Sequence, residues 1–92
     1  MPGGGVLPYE AVVYVTGQVP IPARIARELG LEPWDYADVT IEFNGVRVRL
    51  RRVRLIRTHA ASRRFTIPKE VRDFYGIKPF TSVRIVEVRP TP

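Results

Sequence analysis

The sequence predicts a small, mostly β domain with two short helices, formed by two copies of one strand–helix–strand unit. Three observations predict it. The length of 92 residues suits one domain. Several segments alternate apolar and polar residues, as half-buried strands do. The second half of the chain also repeats the pattern of the first, and neither copy is large enough to bury its apolar face alone.

The first unit begins with a strand and continues into a short helix. Residues 10–16, EAVVYVT, are β-branched and aromatic, and they predict a strand that Gly17 ends. Pro22 suits a first helical turn, because its φ is already helical and the N–H it lacks would have no partner there. Gly30 suits the left-handed position after a helix, and Pro33 prevents continuation. A helix of about two turns is unstable alone, so it must pack on a sheet.

A long hairpin follows the first helix. Residues 37–43 alternate apolar and polar side chains, and Asn-Gly at residues 44–45 is the strongest short hairpin signal. The return strand, VRVRLRRVRLIRT, changes phase at Arg51 and Arg52, and a slip of one residue reverses the two faces of a strand. We therefore predict a bulge or bend there, which would let one long strand serve two parts of a closed barrel.

The second unit repeats the first after a loop at residues 58–62. It reads RRFTIPKEVRDFYGIKPF, followed by a strand, SVRIVEV, and by RPTP, which we expect to end the sheet. A shift of 46 residues aligns the units without gaps. The matched residues are those that set backbone geometry or supply an apolar anchor: Ile21 with Ile67, Pro22 with Pro68, Gly30 with Gly76, Pro33 with Pro79, and Trp34 with Phe80.

Both units resemble the half-barrel of the AbrB/SpoVT family of cradle-loop barrels. The segments GQVPIPARIARELGLEPWD and RRFTIPKEVRDFYGIKPFT are similar to its strand, Ile-Pro, two-turn helix, Leu-Gly and turn. The resemblance covers about residues 12–43 and 58–88. It implies a small six-stranded cradle-loop β-barrel with an internal pseudo-two-fold repeat, RIFT-like in strand order, with swapped-hairpin or double-psi orders as alternatives. Residues 9–90 would form this single barrel domain after a flexible tail at residues 1–8.

AbrB-like proteins bind DNA, and the resemblance implies a transcription-regulator-type barrel. In that family two chains each give one half, whereas here one chain carries both, so we expect a monomer, with a homodimer as the alternative. Basic residues before Ile-Pro occur only in the second unit, as Arg63 and Arg64; the first has Gly17 and Gln18. The resemblance therefore does not imply a symmetric DNA-binding face.

Positive charge is concentrated in the second half of the chain. Residues 1–46 contain two Arg and six acidic residues, whereas residues 47–92 contain 13 basic and three acidic residues. A dense run of arginine on a strand suits phosphate contacts, so we predict binding of DNA or another nucleic acid. The predicted contact residues are Arg47, Arg49, Arg51, Arg52, Arg54, Arg63 and Arg64. The alternative is a solvated face whose arginines pair with acidic residues of neighbouring strands.

No pattern in the sequence predicts an enzyme, a metal site or a cofactor. His59 is the only histidine, and no acid is placed to complete a triad with it and Ser62. The chain has no cysteine, so zinc lacks its usual ligands. The acidic residues near Asp35 lack calcium-loop spacing. The alternatives to nucleic-acid binding are a non-catalytic barrel for a small ligand or nucleotide, and a protein-interaction module.

Three further expectations concern the matched aromatic residues and the setting of the protein. Trp34 and Phe80 occupy equivalent turns, where they could stack on bases or plug the space under each helix, and their symmetric recurrence favours the plug. The sequence begins without a secretory signal and has no apolar run that spans a bilayer, so we expect a cytoplasmic protein with no membrane partner. Few Asn, Gln and Met residues and nine Pro suit a thermophile, or codon bias alone.

Overall fold

The computed structural model describes residues 5–92, which form seven strands and two helices. The strands are β1 (Tyr9–Val12), β2 (Gln18–Ile21), β3 (Tyr36–Phe43), β4 (Val46–Arg54), β5 (Ile56–Arg57), β6 (Arg63–Thr66) and β7 (Ser82–Thr91). The helices are α1 (Ala23–Glu28), which follows β2, and α2 (Lys69–Tyr75), which follows β6. Each helix thus follows the Ile-Pro of its unit, as the sequence predicts.

The strands pair in two antiparallel sheets. One has the order β1-β7-β3-β4, and the other has the order β2-β6-β5. The predicted mostly β fold with two helices is confirmed. Hydrogen bonding among residues 5–92 gives seven strands in two sheets, and it does not confirm a closed barrel of six strands.

One core lies between the sheets. Its largest fully buried side chain is that of Phe65 on β6, and Val19, Ile41 and Ile85 are equally enclosed on three other strands. The chain passes from one sheet to the other at Leu55, whose N–H donates to the carbonyl of Asp35 at 2.7 Å. The strand after the hairpin therefore serves both sheets, as its phase change predicts.

The hairpin turn and the bulge are both confirmed. Asn44 and Gly45 have φ angles of 51° and 77°, the left-handed values that a tight hairpin turn requires. The register shifts between Ala37 and Val39, so that two residues of β4 face the single Asp38 of β3. The extra residue is Arg52, whose φ is 49°.

The bulge leaves one main-chain N–H without a ladder partner, and a carboxylate accepts its hydrogen bond. The Arg52 N–H donates to Asp38 Oδ1 at 2.8 Å. Because an orphaned N–H would be costly, Asp38 stabilises the bulge itself. This contact explains why an acidic residue stands in the middle of β3.

Two elements, the first strand and β7, differ from their predicted bounds. The first strand ends at Val12, and one more hydrogen bond, from the N–H of Val13 to the carbonyl of Thr81, continues its pairing beside β7. β7 continues through Pro90 to Thr91, so the prediction that RPTP ends the sheet is wrong. Proline has no N–H to donate to a neighbouring strand. Pro90 is tolerated because β1 pairs only with the first part of β7, so on the β1 side no strand lies beside Pro90. β7 also contains a second irregularity, opposite Thr40, that the sequence did not predict.

Gly17, at the turn before β2, allows a very close approach by helix α2. Its φ is 84°, and a Cβ built on it would lie 2.6 Å from Cζ of Arg72. The Arg72 guanidinium is held there because its Nε donates to the carbonyl of Ile67 at 2.8 Å. Only glycine fits this turn without displacing that side chain.

The N-terminal segment is described from Gly5 onward. Val6 and Leu7 are half-buried against the core. Residues 1–4 of the predicted flexible tail lie outside the described residues. Neither helix within residues 5–92 has the length and apolar character needed to cross a membrane.

Candidate nucleic-acid interface

The outer face of the four-stranded sheet carries charges in rows. In the row nearest the hairpin turn, Arg47 donates to Glu42 at 3.2 Å. Arg84 lies 4.0 Å from the same Glu42 and 3.9 Å from Glu10. These four residues face one another directly across the four strands. This end of the face is an alternating row of ion pairs, as the solvated-face alternative expects.

The middle row shares one acid between two arginines. Arg89 lies 2.7 Å from Glu87, and Arg49 lies 3.9 Å from it. Thr40, between them on β3, donates to Glu87 at 3.3 Å. Because Glu87 already has two closer partners, Arg49 is only weakly neutralised.

At the bulge end of β4 the facing acid is Asp38, which accepts the main-chain N–H of Arg52 and forms no salt bridge with a guanidinium of residues 5–92. Within residues 5–92, neither Arg51 nor Arg54 forms a salt bridge. The Arg52 guanidinium carbon lies 3.9 Å from the ring centroid of Tyr36, and its Nε donates to the carbonyl of Pro92 at 3.2 Å. We name Arg49, Arg51, Arg52 and Arg54 the basic ridge.

The bulge is what puts the four side chains of the ridge on one face. In a regular strand, Arg52 would point into the core when Arg51 points out. With the extra residue, both are exposed, and the alternation resumes with Val53 inside and Arg54 outside. The ridge therefore concentrates four positive charges over six residues of one strand.

Arg63 lies inside the protein. It is only 3% exposed, and its guanidinium donates to the carbonyls of Ala60, Ser62 and Glu32 at 3.0 to 3.4 Å. Its Nε has no hydrogen-bond partner. Arg63 therefore links the 58–62 loop to the segment after α1 by hydrogen bonds. It is not part of the exposed surface that the ridge forms.

Arg64 is half-buried on the other sheet. Its guanidinium carbon lies 4.9 Å from the ring centroid of Tyr14, and Nη1 donates to Gln18 at 3.4 Å. It belongs to β6, so the structure does not place it on the strand that forms the ridge. Of the seven predicted residues, four form the ridge and Arg47 is paired beside it.

Two exposed residues near the end of β4 were not among the predicted contact residues. Arg57, on β5, lies 3.4 Å from Asp35, and Trp34 is 37% exposed in the same segment. The signal for Arg57 was its place in the same run of arginines. The plug interpretation of the matched aromatics is wrong for Phe80, which is 74% exposed with a φ of 67°.

The remaining polar groups include His59 and Ser62, the two residues considered for a triad, and an ion pair on α2. His59 is exposed, and its main-chain carbonyl accepts a hydrogen bond from the Ser62 hydroxyl, so the imidazole does not activate Ser62. No three His, Asp or Glu side chains of residues 5–92 come together as metal ligands do. On α2, the Lys69 ammonium donates to Asp73 at 2.8 Å and lowers the pKa of that carboxyl. This pair is fully exposed.

No protein-family model, curated protein or solved structure matches this chain.

Proposed function

We propose that this protein binds nucleic acid through the basic ridge of β4. The observation that carries the proposal is the bulge at Arg51 and Arg52, which gathers four exposed arginines on one face while the acids of that face neutralise its other end. Arginine suits this task because its planar fork meets phosphate oxygens bidentately. A small transcription-regulator-like role follows from the AbrB-like resemblance.

Phosphate contacts position a protein without reading sequence. The ridge has no exposed Asn or Gln beside it that could pair with a base edge, since Asn44 lies at the far hairpin turn and Gln18 in the second sheet. Binding is therefore expected to show weak sequence preference. Four contacts would give a log–log slope of affinity on salt of about −3 to −4 on duplex DNA.

We also propose that the fold is a cradle-loop barrel whose two units are related by a pseudo-two-fold axis. Strand pairing supports this. β2 pairs with its counterpart β6, and β3 pairs with its counterpart β7, both antiparallel. Val19 faces Phe65, and these residues are 46 positions apart, the shift that aligns the units. A residue that faces its own equivalent marks where such an axis would pass.

The proposed binding is tested by charge reversal on the ridge. Arg51→Glu and Arg54→Glu, singly and together, should each weaken binding of a labelled oligonucleotide at low salt, and the double variant should flatten the salt dependence by about two contacts. Fluorescence anisotropy measured over a salt series gives both quantities. Because phosphate contacts carry no sequence information, the loss should be the same for unrelated sequences.

Lys78→Glu is the matched control, because it changes the net charge equally. Lys78 is exposed just before β7, at the end of the sheet away from the bulge. Its reversal should leave most of the affinity intact. If wild-type protein binds no duplex, single strand or RNA more tightly than about 100 μM at low salt, which is weaker than ordinary non-specific binding, the ridge is only a solvated face. Equal losses for Lys78→Glu and Arg51→Glu would show that net charge, not the ridge, drives binding.

A further inference from the structure

The segment between α1 and β3 lies against the strand that carries the ridge. Arg57 donates through Nη1 to the carbonyl of Glu32 at 3.3 Å and through Nη2 to Asp35 at 3.4 Å. The carbonyl of Asp35 in turn accepts the N–H of Leu55. Hydrogen bonds to both the main chain and a side chain of this segment therefore hold it beside the end of β4.

Two aromatic residues stand where this segment leads into β3, and one of them is packed against an arginine of the ridge. Tyr36 is the register partner of Arg54, and Arg52 lies over its ring. Trp34, two residues earlier, is 37% exposed, and its N–H donates to the carbonyl of Leu31, which holds its backbone in a turn. The exposed Trp34 thus lies two residues along the chain from Tyr36, against which Arg52 packs and opposite which Arg54 stands.

We propose that the nucleic acid held by the ridge is single-stranded and that one of its unpaired bases stacks on Trp34. This inference rests on the proposed function. Surfaces that bind single strands combine positive charge, which follows the backbone, with aromatic rings, on which bases stack. In a duplex the faces of the bases are already stacked on one another, so no base is free to stack on an indole beside the phosphate contacts.

The equivalent surface of the other unit lacks the arginines. Phe80 occupies the position of Trp34, but its N–H donates to Val13, just after β1, rather than lying beside an arginine-rich strand. Ser82 is the equivalent of Tyr36 at the shift of 46 residues. The register partner of Tyr36 is Arg54, whereas that of Ser82 is Val12. The chain thus carries an exposed aromatic residue in both turns, but only the strand that follows the Trp34 turn pairs with an arginine-rich strand, while the Phe80 turn has the single exposed Lys78, which makes Phe80 a matched control.

Trp34 is the only tryptophan of the chain, so its fluorescence reports on its surroundings alone. The experiment titrates full-length protein with a short labelled oligothymidylate and with an arbitrary sequence, each as a single strand, and with the arbitrary sequence paired to its complement. Anisotropy measures binding, and tryptophan emission measures stacking. We expect single strands to bind more tightly than the duplex and to quench Trp34, whereas bound duplex leaves the emission unchanged.

Variants separate stacking from charge. Trp34→Ala should weaken single-strand binding by roughly 5- to 100-fold, the usual effect of losing one base–aromatic stack, and leave duplex binding unchanged. Trp34→Phe should keep most of the affinity, and Phe80→Ala should have no effect. Equal or tighter duplex binding with no quenching would overturn this inference and leave the proposed function standing. Failure of every nucleic acid to bind would overturn both.

Discussion

Among single residues, Gly17 and Arg72 show how closely two segments of this chain approach. The Arg72 guanidinium occupies the space that any side chain at position 17 would need, and its hydrogen bond to Ile67 keeps it there. Gly45 has a similar φ of 77°, but no atom lies within 4 Å of the place where its Cβ would be. A side chain at position 45 would therefore meet backbone strain alone, whereas a side chain at position 17 would also clash with Arg72.

We expect Gly17→Ala to destabilise the protein more than Gly45→Ala does. Both substitutions place a Cβ on a backbone with positive φ, which costs about 1 kcal/mol. Gly17→Ala must also displace Arg72, and overpacking adds about 1–3 kcal/mol. Urea denaturation of the two variants measures the difference. Adding Arg72→Ala to Gly17→Ala should recover part of the loss; equal costs for the two glycines would show that Arg72 moves aside freely.

Among elements, β4 could be predicted in detail because its alternation is regular on both sides of one slip. The bulge at Arg51 and Arg52 was visible for that reason. The irregularity in β7 was not, because Ile85 and Val86 are both apolar and hide the change of phase. The burial of Arg63 was also missed. Alternation along β6 places Arg63 on the same face as the buried Phe65, but the carbonyls that make its burial possible include that of Glu32, far away in sequence.

Deleting Arg52 tests the bulge as an element. Without the extra residue, Leu50, Val53 and Leu55 would alternate regularly with Arg51 and Arg54, so β4 would keep its register and its buried side chains inside. The deletion should therefore lose mainly the hydrogen bond from the Arg52 N–H to Asp38 and the local twist of the bulge, at a cost of about 1–2 kcal/mol. Arg52→Lys keeps the residue count and the N–H that Asp38 binds, so it should change stability by less than about 1 kcal/mol. Thermal melting measures the stability of both variants; a deletion variant that does not fold would show that the bulge is needed to carry the chain from one sheet to the other.

At the scale of the whole molecule, two sheets share one core and are joined by few polar contacts. One is the Tyr9 hydroxyl of β1, which donates to the carbonyl of Pro20 on β2 at 3.0 Å. Burial raises the pKa of this phenol well above its ordinary value, because the phenolate would lose its hydration inside the protein. The junction between the sheets therefore depends on a neutral tyrosine.

This dependence predicts a loss of stability in alkaline solution. The folded state holds the Tyr9 proton more tightly than the unfolded chain does. The stabilisation that Tyr9 gives the folded state is therefore complete below pH 10, the ordinary pKa of tyrosine, and declines as the pH rises above it. Tyr9→Phe loses the hydrogen bond, which costs about 1 kcal/mol at neutral pH, but removes the titration. Melting temperatures of the two proteins from pH 8 to 11 should converge; a constant gap would contradict the burial effect.

The close approach of Gly17 and Arg72 also bears on how interchangeable the two halves are. At the shift of 46 residues, Arg63 corresponds to Gly17, and Ala26 corresponds to Arg72. Ala26 and Arg63 are both buried. Under the proposed two-fold relation, each junction combines one arginine with one small residue, but on opposite partners. A fusion of two first halves would set glycine against alanine and leave a void, and a fusion of two second halves would crowd two guanidinium groups into one space. Under that relation, each half would fit the other half better than it would fit a second copy of itself.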